Sequence, residues 1–89
     1  MKKHELIRNF GYDIEARSNS YGKARLYLLK NKVRTGYYVS FSGSRKTAGE
    51  IQAKIESGRY NRNSHIDTAL TCLLDLLDNI NKTNNKSPD

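Results

Sequence analysis

The sequence is poor in several residue types that mark particular classes of protein. Its 89 residues include one cysteine, one proline and no tryptophan. The single cysteine, Cys72, cannot form an internal disulfide, so nothing indicates the disulfide-stabilised folds of oxidising compartments. No apolar run approaches the roughly 18–20 residues that span a bilayer. No apolar segment follows the basic start of the chain, as it does in a secretory signal. We therefore expect a cytoplasmic protein without a membrane segment.

Acidic residues are also scarce, and they are unevenly placed. The chain carries 16 Lys and Arg against 9 Asp and Glu, a net charge of +7. Residues 1–63 hold 14 basic and 5 acidic residues, a net of +9, whereas residues 64–89 hold 2 and 4, a net of −2. Such asymmetry is typical of a protein that meets an acidic partner. Hydrophobic residues make up only 36%, and the length allows a single domain.

Alternation of apolar and polar residues predicts three β-strands, and helical spacing predicts three helices. The inward strand positions are Tyr12, Ile14, Ala16, Ala24, Leu26, Leu28, Tyr37, Val39 and Phe41. The second hairpin has its tip at Asn31-Lys32 or a loop that extends to Gly36. Leu6, Ile7 and Phe10 lie on one face of a short first helix. Thr47 and Ser64 are expected to cap the second and third helices.

The third helix has the strongest periodic signal. Its apolar face consists of Ile66, Ala69, Leu70, Leu73, Leu74, Leu77 and Ile80. The order α-β-β-β-α-α predicts an α+β domain over residues 1–81, with helices packed on one face of an antiparallel sheet. Residues 82–89 are polar and are expected to form a flexible tail.

Metal and catalytic chemistry find little support in the sequence. His4, His65 and Cys72 do not pair at a zinc-ligand spacing, so no metal or cofactor is expected. Cys72 is interpreted as a small apolar residue near the helix face, and His65 as a surface residue. The serines lack a nucleophile elbow, and Asp13 and Glu15 are interpreted as salt-bridge partners on a solvated strand face. We therefore expect no enzymatic activity.

Basic residues interleaved with tyrosine favour a nucleic-acid-binding surface, because cations neutralise phosphates and tyrosine stacks on bases. Arg45 and Lys46 precede a helix start, where free amides attract anions. Tyr21, Lys30, Lys32 and Arg34 in the loops would extend the surface. The predicted binding residues are Arg17, Lys23, Arg25, Tyr27, Tyr38, Arg45, Lys46, Arg59, Tyr60 and Arg62. Two simpler explanations stay open: the strand cations keep an exposed sheet soluble, and the segment before the second helix is an ordinary capping turn.

The third helix also has apolar residues beyond one narrow stripe. Leu73, Leu76, Leu77 and Ile80 form a candidate homodimer face, with simple core packing as the alternative.

Three known groups resemble parts of this pattern. The order α-β-β-β-α resembles double-stranded-RNA-binding domains, with Gly43-Ser44-Arg45-Lys46 similar to their basic helix-start loop. The first helix here is shorter, however, and their Ala-rich second helix is absent. Gly36-Tyr37-Tyr38-Val39-Ser40-Phe41 resembles the arm-type DNA-binding module of integrases from phages and transposons. The element order is also similar to that of small phage inhibitors of host nucleases, several of which are acidic. None of the three is assigned.

The leading hypothesis is a small non-enzymatic protein of regulatory, phage or mobile-element type that binds DNA or RNA. In it, phosphates are held by Arg25, Arg45, Lys46, Arg59 and Arg62, and Tyr27 and Tyr38 contact bases or sugars. The alternative is a protein–protein inhibitor, such as an anti-CRISPR-like anti-defence factor. Such an inhibitor would use the same basic face to bind a host nuclease or nucleoprotein complex. An enzyme whose site is not visible in one sequence is the third possibility.

Overall fold

Three antiparallel strands and three helices form the parts of the chain that the structure, a computed structural model, describes: residues 2–18, 22–42 and 47–85. The elements are α1 (Lys3–Asn9), β1 (Tyr12–Ser18), β2 (Lys23–Lys30), β3 (Val33–Ser42), α2 (Ala48–Ser57) and α3 (His65–Asn85). The strands lie in the order β1-β2-β3. The predicted α+β class and the predicted order of elements are confirmed.

The second hairpin closes at the tighter of the two turns that the sequence allows. Asn31 and Lys32 both have positive φ angles, 55° and 67°, as a two-residue turn between twisted strands requires. β3 consequently begins at Val33, four residues before the first apolar residue of the predicted alternation. Lys30 pairs with Val33 across this turn.

A bulge in β3 lengthens that strand without reversing its faces. Tyr27 pairs with Tyr38, but Leu29 pairs with Arg34, so Thr35, Gly36 and Tyr37 together lie opposite Leu28. Gly36 takes a φ of 93°, which a side chain would disfavour. Because the register shifts by two residues, Arg34 emerges on the same face as Tyr38.

The helix starts follow the predicted capping. The Thr47 hydroxyl accepts a hydrogen bond from the backbone N–H of Glu50 at 3.3 Å. The Ser64 hydroxyl accepts one from the N–H of Asp67 at 3.2 Å. α2 ends at Gly58, whose φ of 71° is left-handed.

The core lies between the sheet and the helices, which pack on one face of the sheet. α3 crosses β3 and β2, α1 lies between α3 and β1, and α2 flanks β1. The buried apolar residues are Ile7, Tyr12, Ile14, Ala16, Ala24, Leu26, Leu28, Ile51, Ile55, Ile66, Ala69, Leu70, Leu73 and Leu77. The inward alternation of β1 and β2 is therefore confirmed.

Two details of α3 differ from the sequence interpretation. The helix continues to Asn85, four residues beyond the boundary placed at residue 81, and residues 86–89 lie outside the described residues. Cys72 is exposed, so its interpretation as an apolar residue packed near the helix face is wrong. His65 lies at the surface, as expected.

Gln52 closes the free edge of β1 from α2. Its side-chain amide donates to the carbonyl of Ile14 at 3.0 Å and accepts from the N–H of Ala16 at 2.8 Å. One side chain therefore occupies the place of a fourth strand. Edge strands need such protection, because their unpaired backbone groups otherwise pair with other chains.

We predict that Gln52→Ala lowers the free energy of unfolding by about 1–3 kcal/mol, because two half-buried backbone groups lose their partner. Denaturant unfolding followed by circular dichroism measures the change. Gln52→Glu is the matched variant. Its ionised carboxylate still accepts from Ala16 but repels the carbonyl of Ile14, so its destabilisation should shrink as pH falls and the acid protonates. A native-like stability in Gln52→Ala would contradict this role.

Candidate nucleic-acid interface

The face of the sheet opposite the helices carries the candidate site. Because paired residues of antiparallel strands share a face, the register brings predicted residues from all three strands together. Arg17 pairs with Arg25, Arg25 with Ser40, and Tyr27 with Tyr38. We call this surface the outer face. Its described positions are Asp13, Glu15, Arg17, Lys23, Arg25, Tyr27, Leu29, Arg34, Tyr38 and Ser40.

Two tyrosines and two arginines form a continuous stack at the centre of the outer face. The Tyr27 and Tyr38 rings lie 5.3 Å apart between centroids, tilted by 40°. The Arg34 guanidinium lies 4.4 Å from the Tyr27 ring centre, and that of Arg25 lies 4.7 Å from the Tyr38 ring centre. Arg25 also donates to the Tyr27 hydroxyl at 3.2 Å, which raises the pKa of its guanidinium. The tyrosines therefore fix the positions of both cations.

Glu15 on β1 lies beside this stack, across from Tyr27, and it contacts two arginines. Arg34 contacts its Oε1 at 2.8 Å, and Arg17 contacts the same atom at 3.5 Å. The hydrogen bond from Arg34 is the main cause that lowers the pKa of Glu15 below its usual range. One ionised carboxylate thus meets two guanidiniums, and a positive charge is left over.

The remaining outer-face charges add to that excess. Asp13 receives a hydrogen bond from Arg8 of α1 at 3.2 Å, and Arg8 also lies 3.8 Å from Glu56, so part of the Asp13 charge is offset from outside the sheet. Within the described residues, Arg25 contacts no carboxylate. An open depression of about 810 Å³ lies among the cations of this end of the sheet. It is lined by Arg17, Ser18, Lys23, Arg25, Tyr27, Arg34, Ser40 and Phe41.

The predicted connector residues lie elsewhere, in the helical layer. The Tyr60 hydroxyl is 2.9 Å from Nδ1 of His4, and it accepts from the His4 backbone N–H at 3.4 Å. Tyr60 is half-buried against the core, whereas Arg59 and Arg62 are exposed. The core separates this cluster from the outer face, so the structure does not join the two groups into one surface.

Several other predicted positions fall outside the candidate site. Arg45, Lys46 and Tyr21 lie outside the described residues. Lys30 places its ammonium 5.4 Å from the ring centre of buried Tyr12, away from the outer face. Lys32 is exposed at the tip of the second hairpin.

Half of the candidate homodimer face belongs to the core. Leu73 and Leu77 have no exposed surface, so simple packing is the correct interpretation for them. Leu76 and Ile80 are half-buried at the margin of the core.

Three contacts of the helical layer were missed from the sequence. His4 is buried, Lys3 binds Asp67 at 2.8 Å, and Gln52 bonds to β1. The hydrogen bond from Lys3 and that from the Asn63 backbone lower the pKa of Asp67. The partners of Lys3 and His4 are more than fifty residues away, so no local pattern could reveal them. Arg34 was placed in a loop, because the bulge at Gly36 interrupts the alternation.

The described residues hold no group of three or more His, Cys, Asp or Glu that could bind a metal ion. None of the helices in residues 2–18, 22–42 and 47–85 combines the length and apolar character needed to cross a membrane. Comparison of the chain with protein-family models, curated proteins and solved structures finds no match.

The buried His4 predicts a pH dependence of stability. Burial, followed by the nearby Arg8 charge, lowers the pKa of His4 from its ordinary 6.5. The unfolded chain therefore binds a proton more readily than the folded one. We expect the free energy of unfolding to be highest above about pH 6.5 and to fall as pH drops below it.

Chemical denaturation at a series of pH values between about 5 and 7.5 measures this change. His4→Asn keeps an acceptor toward Tyr60 but does not titrate, so it should flatten the curve in this range. The exposed His65→Asn is the control and should keep it. A wild-type stability that is constant over the range would contradict this role of His4.

Proposed function

We propose that the protein is a non-enzymatic nucleic-acid-binding protein that holds a phosphate backbone on the outer face of its sheet. The observation that carries this proposal is the uncompensated charge of that face. Arg17, Arg25 and Arg34 are set against Glu15, and Asp13 pairs with Arg8 of α1. A cluster of fixed cations on an open surface is the electrostatic footprint of a polyanion-binding protein.

The geometry suits phosphates better than base edges. Arginine binds phosphate through paired N–H groups. Arg34 directs its Nε and one Nη toward Glu15, whereas Arg25 gives a single N–H to the Tyr27 hydroxyl and keeps its other N–H groups for a phosphate. Lys23 and Arg25 are two residues apart on β2, a separation of about 6.8 Å, with Arg17 across from Arg25. In this proposal Tyr27 and Tyr38 position the cations, because arginine covers a face of each ring. Base stacking on those faces would require the guanidiniums to move.

Fluorescence anisotropy with labelled oligonucleotides of about 20 nucleotides tests the proposal. Single-stranded DNA, duplex DNA and single-stranded RNA of mixed sequence are compared at about 50 mM salt and above. The proposal expects binding whose log K falls linearly with log salt concentration. No binding to any of the three probes at low salt would overturn it. Binding to an acidic protein alone would favour the inhibitor hypothesis.

Arg25 gives the most direct test of the site. Arg25→Ala should weaken binding at every salt concentration and reduce the salt slope by about one, because one phosphate contact is lost. Arg59→Ala is the matched control: it also removes one exposed arginine, but from the helical layer. Equal losses in the two variants would show that net charge, not the outer face, governs binding.

Glu15 provides a test in the opposite direction. Glu15→Gln keeps a hydrogen-bond acceptor for Arg34 but releases the charge of two guanidiniums, so affinity should rise roughly three- to tenfold at low salt. Glu5→Gln changes the net charge by the same amount on α1, and its effect should be much smaller. An unchanged affinity in Glu15→Gln, measured by the same anisotropy titration, would contradict the proposed site.

A further inference from the structure

The two edges of the sheet differ in how their backbone groups are covered. Gln52 closes the β1 edge, as described above. At the other edge, no backbone hydrogen bond from outside the sheet reaches β3 within the described residues. The only charged side chain among Val33–Ser42 is Arg34, whereas natural edge strands are commonly guarded by charges, proline or a covering element.

The backbone groups that β3 leaves unpaired can be identified from the sheet pattern. Ile14 and Ala16 direct their backbone groups to Gln52, so their partners Leu28 and Leu26 direct theirs toward β3. The Thr35 hydroxyl accordingly donates to the carbonyl of Leu28 at 2.9 Å. Leu26 pairs with Val39.

The residues on either side of Val39 therefore turn their backbone groups outward. Tyr38 and Ser40 present N–H and C=O groups along the open edge, and no backbone group among the described residues pairs with them there. Because Gly36 and Tyr37 belong to the bulge, the regular part of this edge is centred on Val39.

The side chains on the helix side of this edge are apolar and incompletely covered. Tyr37 is 46% exposed, and Val39 and Phe41 are half-buried. The segment Gly36–Ser42 has no charged residue. A strand that pairs with β3 would cover these side chains as well as satisfy the backbone.

The helix above the edge continues this apolar margin. Asp67 faces α1, because it binds Lys3. Leu76 follows nine residues later, about half a turn round the helix from Asp67, and it therefore lies on the flank away from α1, above the open edge. Ile80 is one turn further along the same flank. Both side chains are half-buried.

We propose that the open edge of β3 pairs antiparallel with β3 of a second copy of this chain. A two-fold axis at Val39 pairs Tyr38 with Ser40 of the second copy, so the outward backbone groups meet each other. The same register sets Tyr37 opposite Phe41 of the second copy on the helix side, where cross-strand aromatic pairs are favourable. No like charges face each other over Gly36–Ser42.

The position of α3 fits this arrangement. With strands about 4.8 Å apart and α3 packed over β3 and β2, the two α3 helices would lie about 10 Å apart, the usual distance of packed helices. Leu76 and Ile80 would then meet their counterparts. Because Gln52 closes the other edge, pairing stops at a dimer with a six-stranded sheet.

Self-association does not depend on the proposed nucleic-acid binding. The two are distinguished experimentally by their opposite dependence on salt concentration. Two chains of charge +7 repel, so salt should strengthen the dimer, whereas it weakens binding to a polyanion. A failure of one proposal therefore leaves the other standing.

Sedimentation equilibrium of the chain without nucleic acid, at about 0.5 M salt and from about ten micromolar to half a millimolar, tests the proposal. The fitted mass should rise toward twice the monomer's 10.2 kDa. Ser40→Pro removes an outward N–H and should weaken the dimer at least about tenfold. Tyr37→Ser should also weaken the dimer, because it removes an aromatic ring from the paired strands. This variant decides the test if Ser40→Pro does not fold.

Phe10→Ser is the matched control, since Phe10 is a 55% exposed aromatic directly after α1, away from the β3 edge. It should leave the association unchanged. A chain that stays monomeric throughout would overturn the proposal, as would pairing of β3 only with a strand of another protein. A dimer that Ser40→Pro and Tyr37→Ser leave intact, or that Phe10→Ser weakens equally, would also overturn it.

Discussion

Burial of one face of a three-stranded sheet beneath three helices constrains the rest of the molecule. The chain has few apolar residues, and the alternation of β1 and β2 directs them to a single side, where Leu26 and Leu28 have no exposed surface. The apolar residues left outside the core, such as Leu6, Phe10 and Val33, are exposed and too few to build a second layer, so the opposite face must be stable in contact with water. The fold therefore produces an open polar surface as a direct consequence of its small core.

The open surface is organised by side chains that reach across the strands. Tyr27 and Tyr38 hold Arg34 and Arg25 on their rings, and Glu15 ties Arg34 and Arg17 together. The negative charge of Glu15 offsets part of the repulsion between Arg17 and Arg34, so the two guanidiniums can lie close together. An excess of positive charge nevertheless remains. Structural order and the capacity to attract an anion thus arise from the same contacts.

The same scarcity of apolar residues explains why the helices cover one edge of the sheet and not the other. α2 covers β1 and supplies Gln52, whereas α3 is occupied by the core between α1 and β3. No further described element is left to close β3, and the half-buried Leu76 and Ile80 show where the helical layer ends. The incomplete cover of Val39, Phe41 and Tyr37 follows from that limit.

Local patterns predicted the elements well, because period-two alternation and capping residues act over a few positions. Lys23–Lys30 and the Thr47 cap were found in this way. The outward parity of Arg25, Tyr27 and Tyr38 followed from the same alternation. The bulge at Gly36 concealed that Arg34 belongs to the outer face, since the apparent break in alternation resembles a loop.

Contacts between segments distant in sequence could not be predicted from such local patterns. His4 with Tyr60 and Gln52 with β1 depend on how helices dock, which local spacing does not encode. For the same reason, the sequence grouped Arg59, Tyr60 and Arg62 with the strand cations, although the core lies between them.

Backbone amide NMR during an oligonucleotide titration tests the central claim most directly, because it reports on every part of the surface at once. The account predicts that chemical-shift changes concentrate on Arg17, Arg25, Tyr27, Arg34 and Tyr38, whereas the amides of Lys3, Tyr60 and Asp67 change little. Changes concentrated on the helical layer, with the outer face silent, would contradict it.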